Sequence, residues 1–367
     1  MFAARLLAVS CLLVGGVNLH LSGTAVKKSS FGKMPDGRNV EIYTLKDDKI
    51  EARITTYGAR LVSVIAPDRN GKPADIVLGY DNAQGYINDT ASFGSIVGRY
   101  AGRIANATFT LDGQQFHLPK NDGPNTLHGG PENFGKQLWT AKEIHDGVEL
   151  SYISADGEAG FPGTLTTTVR YILQGDDLKI EYSAFADKDT VINLTNHAYF
   201  NLAGEGTGDI LKQEVKIDSE KIVPVDAGLI PTGEIVPANG TPFDFHELTP
   251  IGKNIDAKND QLKYGIGYDM SYVLDNDGKL QEAAEAYDPA SGRMLTVLTD
   301  QPAIHFYTGN HMDGVIGKGG HKYAFRNAFC FEAQHFADSP NHPNFPSTEL
   351  KFGKKFHAIT IYRFTTK

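Results

Sequence analysis

Four short stretches carry side chains that could do chemistry. Residues 195–202 read TNHAYFNL and place an imidazole, His197, among amides and aromatics. Side chains alternate across a strand. Ile192, Leu194, Ala198, Phe200 and Leu202 fall on one side, with Asn196 as the polar exception; Asn193, Thr195, His197, Tyr199 and Asn201 fall on the other. His197 therefore belongs to a polar, hydrogen-bonding face of the kind a sugar groove uses. Two readings stay open for it, a satisfied structural histidine and a proton donor. Glu332 is embedded in FCFEA, residues 329–333. Burial in an apolar strand disfavours the charged carboxylate, which suits a general base if a partner faces it; the alternative is a core-edge glutamate in a salt bridge. Arg99 and Arg103 lie in GRYAGRIANATFTL (98–111), where Gly98 and Gly102 give a guanidinium room to reach oxygen atoms. The other reading is two solvent-facing arginines. His128 precedes Gly129-Gly130 in the turn-rich NDGPNTLHGGPENFGKQLW (121–139), a loop of the type that carries binding residues.

The elements that must position these groups read mostly as strands. VEIYTL (40–45), residues 49–67 and DIVLGY (75–80) show β-branched residues and alternation. ATFTLDGQQFHLP (107–119) reads as a hairpin with Asp112-Gly113 in a primed turn, and Asp146-Gly147 separates two further strands. Residues 164–186 form a pair of long strands, residues 192–202 another, and MLTVLTD, AIHFYTGN and HAITIYRFTT three more. Helical periodicity is confined to DGKLQEAAEAYD (277–288), which Pro289 would stop. With no linker, charge block or repeat, one all-β domain is expected over residues 30–367, a large antiparallel β-sandwich or a closed barrel.

Composition narrows the function. Of 367 residues, 41% are hydrophobic, enough for a sizeable core. The net charge of −9 argues against a nucleic-acid partner, which a basic face would serve. Arg5, the uncharged LLAVSCLLVGGVNL and the small residues Gly23 and Ala25 have the layout of a secretory signal peptide, residues 1–25, cut near Ala25. The expected location is secreted or periplasmic, with no stable membrane insertion, because the apolar run is short for a bilayer. Cys330 would then be the one remaining cysteine, a buried thiol between Phe329 and Phe331. No G-x-S-x-G elbow, P-loop, H-E-x-x-H or C-x-x-C occurs, and the histidine spacings match no common metal motif.

In chain order, GRYAGRIA (98–105), NTLHGG (125–130), TNHAYFNL, PFDF (242–245), QPAIHFYTGN (301–310) and CFEAQHFADSPNHPNFPSTEL (330–350) resemble the motif blocks of the aldose 1-epimerases, or galactose mutarotases. The resemblance runs from about residue 31 to the C-terminus. It implies a large β-sandwich, a supersandwich, that interconverts the α and β anomers of free aldoses such as galactose and glucose without metal or organic cofactor. It also implies Glu332 as general base, His197 as general acid, Arg103 and His128 as contacts to the sugar and its ring oxygen, and Asp244 as an acceptor for sugar hydroxyls. Two positions depart from the family pattern. Gly102 stands where Asn is frequent, and His305 where Gln is frequent, which marks His305 as a substrate-contact position that shifts sugar preference. The partner expected is one small aldose, on a monomer or weak dimer. A binding protein of the same fold without turnover, and an epimerase for phosphorylated sugars, are the competing readings.

Overall fold

The structure, a computed structural model, describes residues 23–367. Three large antiparallel sheets make up its body. The first joins Ala25–Lys33, Asn39–Lys46, Glu51–Thr55, Leu61–Pro67 and Pro73–Asp75 in sequence order. It opens at Ala25, ahead of the domain start expected at residue 30. The second has nine strands, with Lys355–Thr366 between Asp177–Ala186 and Arg293–Thr299 near its middle. The third has five strands in the order Val236–Pro237, Lys221–Val223, Asp269–Val273, Ala303–Tyr307, Cys330–Gln334.

Alternation decides what each sheet covers. Along Leu165–Gln174 every second residue is buried, from Leu165 to Leu173, while Thr166, Arg170 and Gln174 are exposed. One continuous core gathers Leu45, Ile54 and Val64 from the first sheet, Val169, Ile180, Val297 and Tyr362 from the second, and Met270, Phe306 and Phe331 from the third. The fold class is thus all-β, an antiparallel sandwich, as the strand pattern predicts. The Asp112-Gly113 hairpin forms between Thr108–Leu111 and Gln114–His117, both turn residues taking positive φ. No helix among the described residues is long and apolar enough to cross a membrane.

Three expectations about elements fail, and the first is DIVLGY (75–80), where only Asp75 belongs to a strand, Pro73–Asp75, and Val77 makes an isolated bridge to Phe200. Residues 277–288 do not form a helix: Gln281–Tyr287 is a strand between Glu214–Ile217 and Arg293–Thr299, with a register shift between Glu282 and Ala284. The Ala-rich composition favours a helix locally, but Ala283, Ala284 and Ala286 are buried in the core and two neighbours supply ladder bonds. Residues 192–202 are not one strand either. Only Thr195–Asn196 pairs, with Ile96–Val97, and the rest is held by isolated bridges such as those of Phe200 to Val77 and Phe329. The expected signal peptide lies almost wholly outside the described residues.

Candidate active site

The third sheet presents one face to the core and the other to a cavity of about 380 Å³. Period-two alternation sorts its residues. Met270, Tyr272, Ile304, Phe306 and Phe331 enter the core. Asp269, Ser271, His305, Tyr307, Glu332 and Gln334 line the cavity. The register aligns them: Ser271 faces His305 on the adjoining strand, and His305 faces Glu332.

Another part of the lining comes from segments earlier in the chain. His197 and Tyr199 both line the cavity, and their rings stack 5.0 Å apart. The two-residue spacing read from TNHAYFNL thus survives where regular strand does not. The amides of that stretch do other work. Asn193 donates to Ala101 O and His335 O, Asn201 to Gly208 O and Asn327 O, and Asn196 to Gly94 O. They clamp irregular backbone in the interior, where an unpaired carbonyl is costly, and do not line the cavity.

His197 Nε2 stands 3.6 Å from Glu332 Oε1, facing it without a hydrogen bond. Glu332 is 2% exposed, and its other oxygen, Oε2, has no hydrogen-bond partner among the described residues. An unpaired buried oxygen is unfavourable for the fold alone, at about 1–3 kcal/mol. On its far side, His197 Nδ1 lies 3.5 Å from the Cys330 sulfur. Burial pushes the Cys330 thiol well above its ordinary range, so it remains a thiol. The carboxylate facing His197 is Glu332 itself.

His128 meets His197 edge-on, ring centres 5.3 Å apart. The Gly102 N–H donates to His128 Nδ1 at 3.2 Å. Burial first, then the nearby His197, Arg103 and His305, hold His128 well below its ordinary pKa. A neutral ring whose Nδ1 accepts must carry its proton on Nε2, so His128 offers the cavity a fixed donor. Ligand atoms of His128, His197 and Glu332 lie within 4.8 Å of one another, a cluster that sequence spacing does not reveal. The set does not fit a metal: binding through Nε2 would move the His128 proton to Nδ1, where it would meet the Gly102 N–H.

The two arginines of GRYAGRIA part company. Arg103 reaches the cavity, and its Nε donates to Asp122 Oδ2 at 2.7 Å. Arg99 is structural. It is 2% exposed and donates to the carbonyls of Pro162 and Gly163 and to the hydroxyl of Ser154; burial lowers its pKa to about 10.

Asp244 is the one predicted site residue outside the cavity lining. Its carboxylate closes a local turn, accepting from the backbone of Gly240 and His246. Asp269 occupies the cavity instead, accepting from His305 Nε2 at 2.7 Å. Burial opposes its charge, but His305, Arg103 and His311 outweigh burial and lower its pKa. The signal for Asp269 lies in YDMSYV, where polar Asp269 and Ser271 alternate with Met270 and Tyr272.

The chain matches the family model described as aldose 1-epimerase over residues 41–363. It is 41% identical to the galactose mutarotase of Bos taurus over 343 residues, covering 93% of this chain and 99% of that protein. It is 36% identical to the aldose 1-epimerase of Escherichia coli K12, covering 90% and 96%. Among solved structures, galactose 1-epimerase from Lactobacillus acidophilus superposes with a TM-score of 0.81 at 25% identity, covering 94% of this chain and 99% of that one. The GalM/aldose epimerase homologue from C. elegans gives 0.81 at 31% identity, covering 87% and 97%. A family match across most of the chain, relatives matched over nearly their whole length and a shared architecture agree: the chain belongs to the aldose 1-epimerase family.

Proposed function

We infer that the cavity opens and recloses the ring of a free aldose, interconverting its α and β anomers. The observation that carries this is the facing pair: an imidazole and a carboxylate 3.6 Å apart, with one carboxylate oxygen left unpartnered. Anomer exchange needs a base to take the proton of the C1 hydroxyl and an acid to protonate the ring oxygen. The open aldehyde then turns about C1–C2 and closes on its other face. Glu332 serves as the base and His197 as the acid. The fixed Nε2–H of His128 and the guanidinium of Arg103 stabilise charge growing on the ring oxygen. Asp269 accepts from sugar hydroxyls. The steps balance with protons alone and call for no cofactor.

Polarimetry on freshly dissolved α-glucose and α-galactose tests the reading. Wild type should accelerate the approach to equilibrium rotation, and Glu332→Gln and His197→Asn should each lose roughly 100- to 10,000-fold. Wild-type rates in both variants would refute the assignment. No acceleration by the wild type would leave a sugar-binding protein without turnover.

The N-terminal segment supports a further proposal, that the enzyme is exported and works outside the cytoplasm; a monomer or weak dimer is proposed separately. A cut after Ala25 would leave residues 26–33 to pair with Asn39–Lys46. N-terminal sequencing of the fractionated protein and sedimentation of the mature chain test these two points.

A further inference from the structure

Gln334 departs from the other buried amides. Asn193, Asn196, Asn201, Gln213, Gln301 and Asn310 each spend their side chains on backbone or side-chain partners. Gln334 is 2% exposed, yet its side chain makes no hydrogen bond among the described residues, and its Oε1 is buried without a partner. Native folds rarely leave such an atom unpaired, because taking it from water without a replacement bond is costly. Alternation sends Gln334 to the same side of Cys330–Gln334 as Glu332, and both line the cavity. Across the ladder from Gln334 stands Ala303, whose methyl group offers nothing to bond. The next cross-strand row holds His305 and Glu332, and the row beyond holds Tyr307, which faces Asp269. Gln334 and Asp269 thus flank the row of the general base on opposite sides. Two residues of strand separate Gln334 from Glu332 by about 7 Å, the scale on which a pyranose carries its C1 hydroxyl and a hydroxyl farther round the ring. Past Gln334 the chain reaches Ala337, which lies beside Gly102, and the Asp338 N–H donates to Arg103 O, so this end of the strand is close to the arginine's backbone. The last torsion of a glutamine is soft, so the amide can turn either its oxygen or its nitrogen to a ligand.

We propose that Gln334 is a further substrate contact: its amide hydrogen-bonds one hydroxyl of the aldose other than the anomeric one, and so selects sugars that carry that hydroxyl. This rests on the reading of the cavity as an aldose site. The unpaired amide is a cost the empty fold bears and the bound sugar relieves.

The test compares wild type and Gln334→Leu by polarimetry on galactose and on deoxygalactoses that each lack one hydroxyl. Loss of one neutral hydrogen bond should lower kcat/KM on galactose by about 3- to 10-fold. The two deletions should not add: on the one deoxy sugar that lacks the partner hydroxyl, variant and wild type should agree within about 2-fold. The variant should also melt at or above the wild-type temperature, since an unpaired buried amide has been replaced by an apolar group. An unchanged rate on galactose, or the same loss on every sugar, overturns the proposal, and so does a lowered Tm with that uniform loss, which marks an amide serving the fold. Should the variant not fold, a crystal structure of wild type with galactose decides, and an amide with no sugar hydroxyl within hydrogen-bond distance overturns the proposal. A wild type without turnover defeats the ring-opening reading and leaves this inference to the rise in Tm with galactose, which must be smaller in the variant; equal rises overturn it.

Discussion

Removing one partner from the buried Arg60–Asp89 pair should unsettle both the fold and the cavity mouth. The two side chains are 3% and 0% exposed, and Arg60 Nη1 lies 2.7 Å from Asp89 Oδ2. Arg60 also donates to the carbonyls of Phe93 and Gly135, and its guanidinium sits 5.2 Å from the Tyr86 ring centre. Asp89 accepts from the backbone N–H of Ala91 and Phe93, and the Tyr199 hydroxyl donates to Ala91 O. Thr90, Ala91 and Ser92 line the cavity, so the pair braces its rim. Asp89→Ala leaves a buried cation without its anion, which costs about 3–5 kcal/mol. With an unfolding entropy of roughly 2.1 cal/mol/K per residue over ~340 residues, each kcal/mol lowers Tm by about 1.4 °C. The variant should therefore melt about 4–7 °C below wild type by calorimetry and lose activity by polarimetry. Lys46→Gln, which breaks the exposed pair to Glu51, should shift Tm by about 1 °C or less. The double variant Arg60→Met, Asp89→Leu should recover only part of the lost stability, because the carbonyls of Phe93 and Gly135 and the N–H groups of Ala91 and Phe93 lose their partners. Should Asp89→Ala melt within 1 °C of wild type, buried charge does not support this rim.

Further outcomes follow from other contacts. Burial lowers the pKa of His335 to about 4 and that of His128 well below its ordinary range. Their contribution to stability is complete above about pH 6.5 and is lost as pH falls toward their folded values, whereas His305, with a raised value, contributes below pH 6.5 and loses it as pH rises. His335→Gln should accordingly reduce the drop in Tm between pH 7 and pH 5, and an unchanged drop would exclude His335 as a cause. Gly102→Ala should cost about 1–2 kcal/mol and lower turnover, because φ is +78° and an added Cβ would meet Ala337 Cβ at 2.8 Å. An unchanged melt and rate would show that the loop yields freely. A stoichiometric excess of Zn²⁺ should leave the polarimetric rate unaltered; inhibition relieved by a chelator would refute the His128 tautomer. Cys330 should resist alkylation in the folded protein at pH 8, and rapid labelling would contradict its protonated, buried state.

Much of the site was legible because strands write their facing in the sequence. His197 and Tyr199 reached the cavity together, and Glu332 alternated with Phe331, as the two-residue period requires. Asp269 and Ser271 carry the same pattern but sit in a short strand flanked by Gly267 and aromatics, with no turn signal to announce it. Asp244 was misplaced because a carboxylate after Pro-Phe closes a turn as readily as it meets a sugar. Arg99 and Arg103 share one motif, and four residues of sequence do not tell which guanidinium the neighbouring loops enclose. The helix expected near residue 280 failed because local propensity is worth tenths of a kcal/mol per residue, while two ladder partners and a core face are worth more.

The strand Lys355–Thr366 is last in the sequence yet stands between Asp177–Ala186 and Arg293–Thr299, and it pairs along most of its length with both. During synthesis, therefore, the nine-strand sheet remains split into two parts until this segment has cleared the ribosome. Closure then joins partners nearly 180 residues apart, a distant pairing of the sort that slows folding. Until it occurs, Asp177–Ala186 and Arg293–Thr299 each present an open edge, so a chain interrupted before Lys355 would present two surfaces ready to pair with other chains.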